Sequence, residues 1–117
     1  MLSLPWPPSI LSPNNRSHWA RKAKVKAKFR QDCFYITKHE MRNGVPTAVH
    51  AEGNLHLNLT FHPPTNRPRD IDNLLASMKS GLDGVADAWG VNDTRFRPIT
   101  IDFGDVIKGG LVKLKIL

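Results

Sequence analysis

Residues 55–90, LHLNLTFHPPTNRPRDIDNLLASMKSGLDGVADAWG, decide the fold. Leu55, Leu57, Leu59 and Phe61 alternate with His56, Asn58, Thr60 and His62, the period-two pattern of a strand with one buried face. Pro63 and Pro64 stop that strand, because proline has no N–H to give a sheet ladder. Thr65–Arg69 reads as a basic loop. A different period follows. Ile71, Leu74, Leu75, Met78, Leu82, Val85, Ala86 and Trp89 recur at helical spacing and predict an amphipathic helix from about Ile71 to Trp89. Gly81 and Gly84 weaken its helix propensity, and their small size predicts close packing against a sheet. Gly90–Thr94 reads as the turn that ends it.

Working outward, Leu2–Trp6 is a short strand stopped by prolines, and Ser9–Asn15 is loop. Ser17–Met41 reads as a long helix with Val25, Phe29, Cys33 and Ile36 on its apolar face. Asn43-Gly44 supplies C-cap chemistry, and Val45–Gly53 reads as loop. Arg97–Phe103 and Leu111–Leu117 read as strands joined around Lys108-Gly109-Gly110, with Val112, Leu114 and Ile116 facing in and Lys113 and Lys115 facing out. The order β-α-β-α-β-β predicts a single α+β domain over residues 1–117. It would be a two-layer sandwich with two main helices packed on a mixed four-stranded sheet.

A chain of 117 residues suits one domain and is too short for two. It contains no run of 18 apolar residues, so no membrane-spanning helix is expected. Its proline-broken start lacks the positive leader of a secretory signal. Cys33, the single cysteine, excludes an internal disulfide and a Cys-based zinc cluster, and fits a reducing cytoplasm; a packed thiol is the expected state. Net charge is +7, unevenly spread: residues 1–69 hold eleven Lys/Arg against three Asp/Glu, and residues 70–117 hold six against seven. The basic half suits nucleic acid or an anionic membrane surface.

Part of that charge is ordered along the first helix. Arg21, Lys24, Lys28, Gln31, Tyr35, Lys38 and Arg42 follow one another at spacings of three and four and so share one face. Two readings stand: a solvated face, or a surface that tracks phosphates.

The acids of the other half are equally patterned. Asp70 and Asp72 sit one residue apart at the mouth of the second long helix. An aspartate at an N-cap bonds free backbone N–H groups, and one in a first turn suits the helix dipole. A hard divalent cation would want the same residues, since magnesium takes one or two carboxylates and leaves positions for phosphate oxygens. Arg67 and Arg69 flank the pair, which a cap does not require. Lys79, seven residues after Asp72, lies on the same helix edge, where a lean toward the N-terminus would bring it to a metal-bound phosphate. Asp83 reads as the ion-pair partner of Lys79. Asp93 reaches the same neighbourhood only if the chain doubles back after the helix. The five histidines have no metal-ligand spacing, and His18 reads as a helix cap.

Together these residues resemble the RusA-type Holliday junction resolvases. The resemblance covers most of the chain: Leu4–Ser9 (LPWPPS) is similar to the family's opening strand, Asn14-Asn15-Arg16 to the loop after it, His62–Asn73 (HPPTNRPRDIDN) to the signature before the catalytic helix, and Gly90–Asp93 to the position of its third acid. It implies that Asp70, Asp72 and Asp93 bind magnesium, or manganese, and that a symmetric homodimer nicks a four-way junction at paired positions, leaving 5′-phosphate and 3′-hydroxyl ends. The family's lysine four residues after the second aspartate is Ala76 here, and Lys79 stands three residues further on. The expectation is thus a magnesium-dependent endodeoxyribonuclease acting on branched DNA. Its catalytic residues would be Asp70, Asp72, Asp93 and Lys79, and its DNA contacts Asn14, Asn15, Arg16, Arg21, Lys24, Lys28, Arg67 and Arg69. The alternatives are a non-catalytic nucleic-acid-binding domain of the same fold and a nuclease acting on forks or flaps.

Overall fold

The alternating segment becomes one of the two inner strands of the sheet. The computed structural model describes residues 1–117. It runs β1 (Leu2–Pro5), α1 (Trp19–Glu40), α2 (Thr47–His50), β2 (Leu55–His62), α3 (Ile71–Ser77), α4 (Lys79–Trp89), β3 (Phe96–Phe103) and β4 (Leu111–Ile116). Tight 3₁₀ turns lie at Ser9–Leu11, Met41–Asn43 and Asp93–Arg95. This is the α+β single domain expected, with helices packed on a mixed four-stranded sheet. No helix is long and apolar enough to cross a membrane.

The strand order is β1-β4-β2-β3. β3 pairs parallel to β2, so the α3–α4 segment is the crossover of a β-α-β unit. β4 is antiparallel to both β1 and β2. The last two strands are therefore consecutive in sequence but not neighbours, and β2 lies between them. Their connection crosses the end of β2, where Gly104 N donates to Phe61 O at 2.9 Å and Ile107 N to Pro63 O at 3.0 Å.

Leu57, Leu59 and Phe61 are fully buried, as are Val112 on the neighbouring β4 and Leu4 on β1 beyond it. They join Phe29, Cys33, Met78, Leu82, Val85 and Trp89 of the helical layer in one core. Burying each such side chain favours folding by roughly 1.5–3 kcal/mol. Burial pushes the Cys33 thiol up to about 12, so this cysteine is a packed, unreactive group. Thr37, also buried, satisfies its hydroxyl on Cys33 O at 2.7 Å.

The helix expected over Ile71–Trp89 is broken at Met78. Its N–H is shared between Leu74 O and Leu75 O, both at 3.1 Å, a local tightening of the turn, while Leu82 N still reaches Met78 O. The Val45–Gly53 loop contains a short helical turn that buries Val49. The glycines pack closely, but against α1 rather than the sheet. A Cβ built on Gly84 would lie 2.1 Å from Arg30 O, and one on Gly81 would lie 2.7 Å from Phe29 Cε2. A two-pronged ion pair closes the same contact: Arg30 Nε meets Asp87 Oδ2 at 2.7 Å, and Arg30 Nη2 meets Asp87 Oδ1 at 3.0 Å.

Candidate metal and nucleic-acid site

The mouth of α3 is organised by Trp6. This ring leaves the end of β1 and packs edge-on against Phe61 at 6.0 Å. Gly110, at φ +76°, lies so close that a Cβ there would stand 2.7 Å from Trp6 Cβ. The Arg69 guanidinium lies over the ring at 5.6 Å, and its nitrogens donate to Thr65 O and Thr65 Oγ1, both at 2.8 Å, and to Arg67 O at 3.1 Å. Arg69 thus braces the loop before Asp70, and desolvation there draws its pKa below the ordinary value. The Arg67 side chain makes no hydrogen bond or ion pair and is exposed. The two arginines share a small cleft with Trp6, Ser9, Ser12, Asp70 and Asn73.

Asp70 stands at the N-cap position of α3, yet its side chain makes no capping hydrogen bond. It accepts only from the Asn73 side chain, at 3.4 Å. Asp72 Oδ1 accepts from Asn73 N at 3.0 Å. Neither carboxylate is in an ion pair. Both are exposed and lean on the same asparagine. The capping reading of Asp70 is therefore not realised, and carboxylate oxygens remain available.

Asp93 does return along the helix. Gly90 takes the left-handed conformation (φ 70°, ψ 31°), Val91 N donates to Ala86 O at 3.0 Å, and the chain reverses. Asn92 caps the following turn through Thr94 N at 2.9 Å. The reversal brings Asp93 to Lys79, whose Nζ also pairs with Asp83 Oδ1 at 2.6 Å. Lys79 therefore leans toward Asp83 and Asp93, away from Asp72, which lies about 10 Å earlier along the helix axis. The Lys79–Asp83 pairing is the one expected from sequence. No group of three or more His, Cys, Asp or Glu side chains is arranged to hold a metal ion, so Asp70, Asp72 and Asp93 are not gathered into one chelating set. The mouth of α3 offers two hard oxygen donors, which fits magnesium bound by two carboxylates and water. Asp93 stays with its lysine.

The hydrogen bond and charge of Lys79 hold the Asp93 carboxyl below the usual carboxylate range, and bonding to Asp83 and Asp93 raises Lys79. The depressed acid contributes stability above its unfolded value of about 4 and loses it as pH falls through the folded value. The raised amine contributes below about 10.4 and loses it as pH rises through its own folded value. The pair thus persists across neutral pH, with Lys79 charged. In Lys79→Met the Asp93 carboxyl should titrate higher, toward the ordinary range, by carbon-detected NMR; an unmoved midpoint would contradict the pairing.

Among the DNA contacts expected from sequence, Asn14, Arg16, Arg21 and Lys24 are exposed and unpaired. Asn15 is structural, since Oδ1 accepts from Ser17 N at 2.8 Å and its carbonyl takes Lys22 Nζ. Lys28 pairs with Asp32 at 2.8 Å, so the basic face of α1 has an acid at its edge. His18 caps α1, its Nδ1 accepting from Ala20 N. Trp6 and Asn73 join the site from outside the residues expected to carry it; Trp6 stands out in the sequence as an aromatic next to prolines, but its partner Arg69 is remote in sequence.

No family model matches the chain. It is similar to an uncharacterized protein of Xylella fastidiosa (strain Temecula1 / ATCC 700964), 42% identical over 95 residues, which cover 81% of this chain and 61% of that protein. The match thus spans less than two thirds of that relative.

Proposed function

We propose that this chain is a metal-dependent, structure-selective DNA endonuclease of the RusA type, resolving four-way junctions as a homodimer. One observation carries the reading: Asp70 and Asp72 stand uncapped and without a cation partner at a helix mouth, beside Arg67 and the braced loop of Arg69. Carboxylates left open next to cations in a basic chain suit a cation and a polyanion together. Asp70 and Asp72 would hold magnesium, which when bound neutralises phosphate charge and lowers the pKa of water. Arg67 steers a phosphate to the helix mouth. Lys79, kept protonated by Asp83 and Asp93, acts as fixed positive charge and not as a general base. Paired nicks require paired sites related by a two-fold axis, hence the homodimer.

A second reading has its own support. Lys79 engages Asp93, and a non-catalytic DNA-binding domain would keep that pair. Incubating the protein in magnesium with a four-way junction, a fork and a linear duplex separates the readings. Paired symmetric nicks in the junction, at least about tenfold faster than in the other substrates, are expected. Binding without nicking in magnesium or manganese would favour the binding domain, and faster fork cleavage would move the substrate to replication-type branches.

A further inference from the structure

We infer that the start of α1 is a stacking platform for an unpaired nucleobase, with Trp19 as its floor. Trp19 is 76% exposed, whereas Trp89 is 8% exposed and Trp6 is covered by Gly110 and Arg69. An indole held in water at a fixed place in a helix is an unsatisfied apolar surface. Its position is fixed by the His18 cap, and the two rings lie 5.5 Å apart at 33°.

The surroundings name the occupant. Residues 16–31 carry seven Lys/Arg and no Asp/Glu. Lys28 is paired with Asp32, Arg30 with Asp87, and Lys22 bonds the Asn15 carbonyl. Arg16, Arg21, Lys24 and Lys26 remain unpaired within seven residues of Trp19; Lys26, two turns on, shares the indole's face of α1, and Arg21 and Lys24 carry the charge around the helix. A lone aromatic among free cations lacks the apolar face that a membrane-bound helix needs. It matches single-stranded nucleic acid, whose backbone follows the cations while a base stacks on the ring. The platform is also near the acids. The turn Ser9–Leu11 touches both α1 and α3, and Ser12 lines the Asp70 cleft. Seven residues separate Ser12 from Trp19, so the two lie within about 25 Å. That is less than one turn of duplex DNA, about 34 Å.

This inference rests on the nucleic-acid part of the proposed function and not on its metal chemistry, so its test is run in EDTA. A twelve-nucleotide oligothymidine is titrated against intrinsic tryptophan fluorescence, beside a blunt duplex of equal length and vesicles of phosphatidylglycerol and phosphatidylcholine. The single strand should quench the emission and bind more tightly than the duplex. Trp19→Ala should lose the quenching and weaken single-strand binding roughly five- to a hundredfold, while Trp19→Phe keeps binding within about threefold. Both variants should melt like the parent, because the side chain is exposed. Unchanged single-strand affinity in Trp19→Ala, or a blue shift with vesicles and no quenching by the single strand, would overturn the platform. Failure of junction cleavage in magnesium with these results intact would overturn the nuclease reading alone.

Discussion

Replacing Gly84 with alanine should destabilise the fold by about 3 kcal/mol and lower the melting temperature by roughly 10–20 °C. Alanine is the better helix former, by about 1 kcal/mol, so an isolated helix would gain from the change. In the folded chain the new methyl would lie 2.1 Å from Arg30 O, 3.0 Å from Phe34 N and 3.1 Å from Arg30 C. These are backbone atoms of α1, which cannot rotate aside. The two helices must separate, and the Arg30–Asp87 fork opens with them. Gly81→Ala is the control. It meets Phe29 Cε2 at 2.7 Å and Cys33 Sγ at 3.1 Å, side-chain atoms that can shift, so a cost of about 1 kcal/mol is expected. Thermal melts of both variants measure the difference. Gly84→Ala melting with the parent would show that α1 and α4 do not meet at this point.

That contact also marks a limit of sequence reading. Two glycines three residues apart on a helix announce a close approach, and nothing in their spacing says to what. The alternation in β2 and β4 was legible because a half-buried strand writes its burial in period two. The parallel pairing of β2 with β3, and the insertion of β4 between β1 and β2, depend on contacts between distant segments. Asp70 and Asp72 were legible as an acid pair, but an unused cap and a used one have the same sequence. Asp93 illustrates both sides. Gly90 forecast a reversal, yet how far back the chain runs is set by the Lys79 pairing. The brace of Arg69 on Trp6, sixty-three positions apart, had no local signal at all.

Asp72→Asn should lower junction cleavage in magnesium about a thousandfold or more, with binding unchanged or tighter. The amide keeps the side chain's size and its acceptor for Asn73 N, and removes the negative charge that a cation requires. A purely structural Asp72 gives a different pattern. Loss of its favourable interaction with the helix dipole would cost about 0.3–1 kcal/mol of stability and leave nicking intact. Asp93→Asn then distinguishes two ways of holding the metal. If Asp70 and Asp72 suffice, Asp93→Asn weakens magnesium binding little, and its effect on cleavage comes through a Lys79 released from one partner. If the Lys79–Asp93 pair opens to admit a third carboxylate, Asp93→Asn and Asp72→Asn lose magnesium affinity together. Magnesium titrations by calorimetry, run beside cleavage on the same variants, read the two patterns directly. Full-rate cleavage by Asp72→Asn would remove the acid pair from the chemistry.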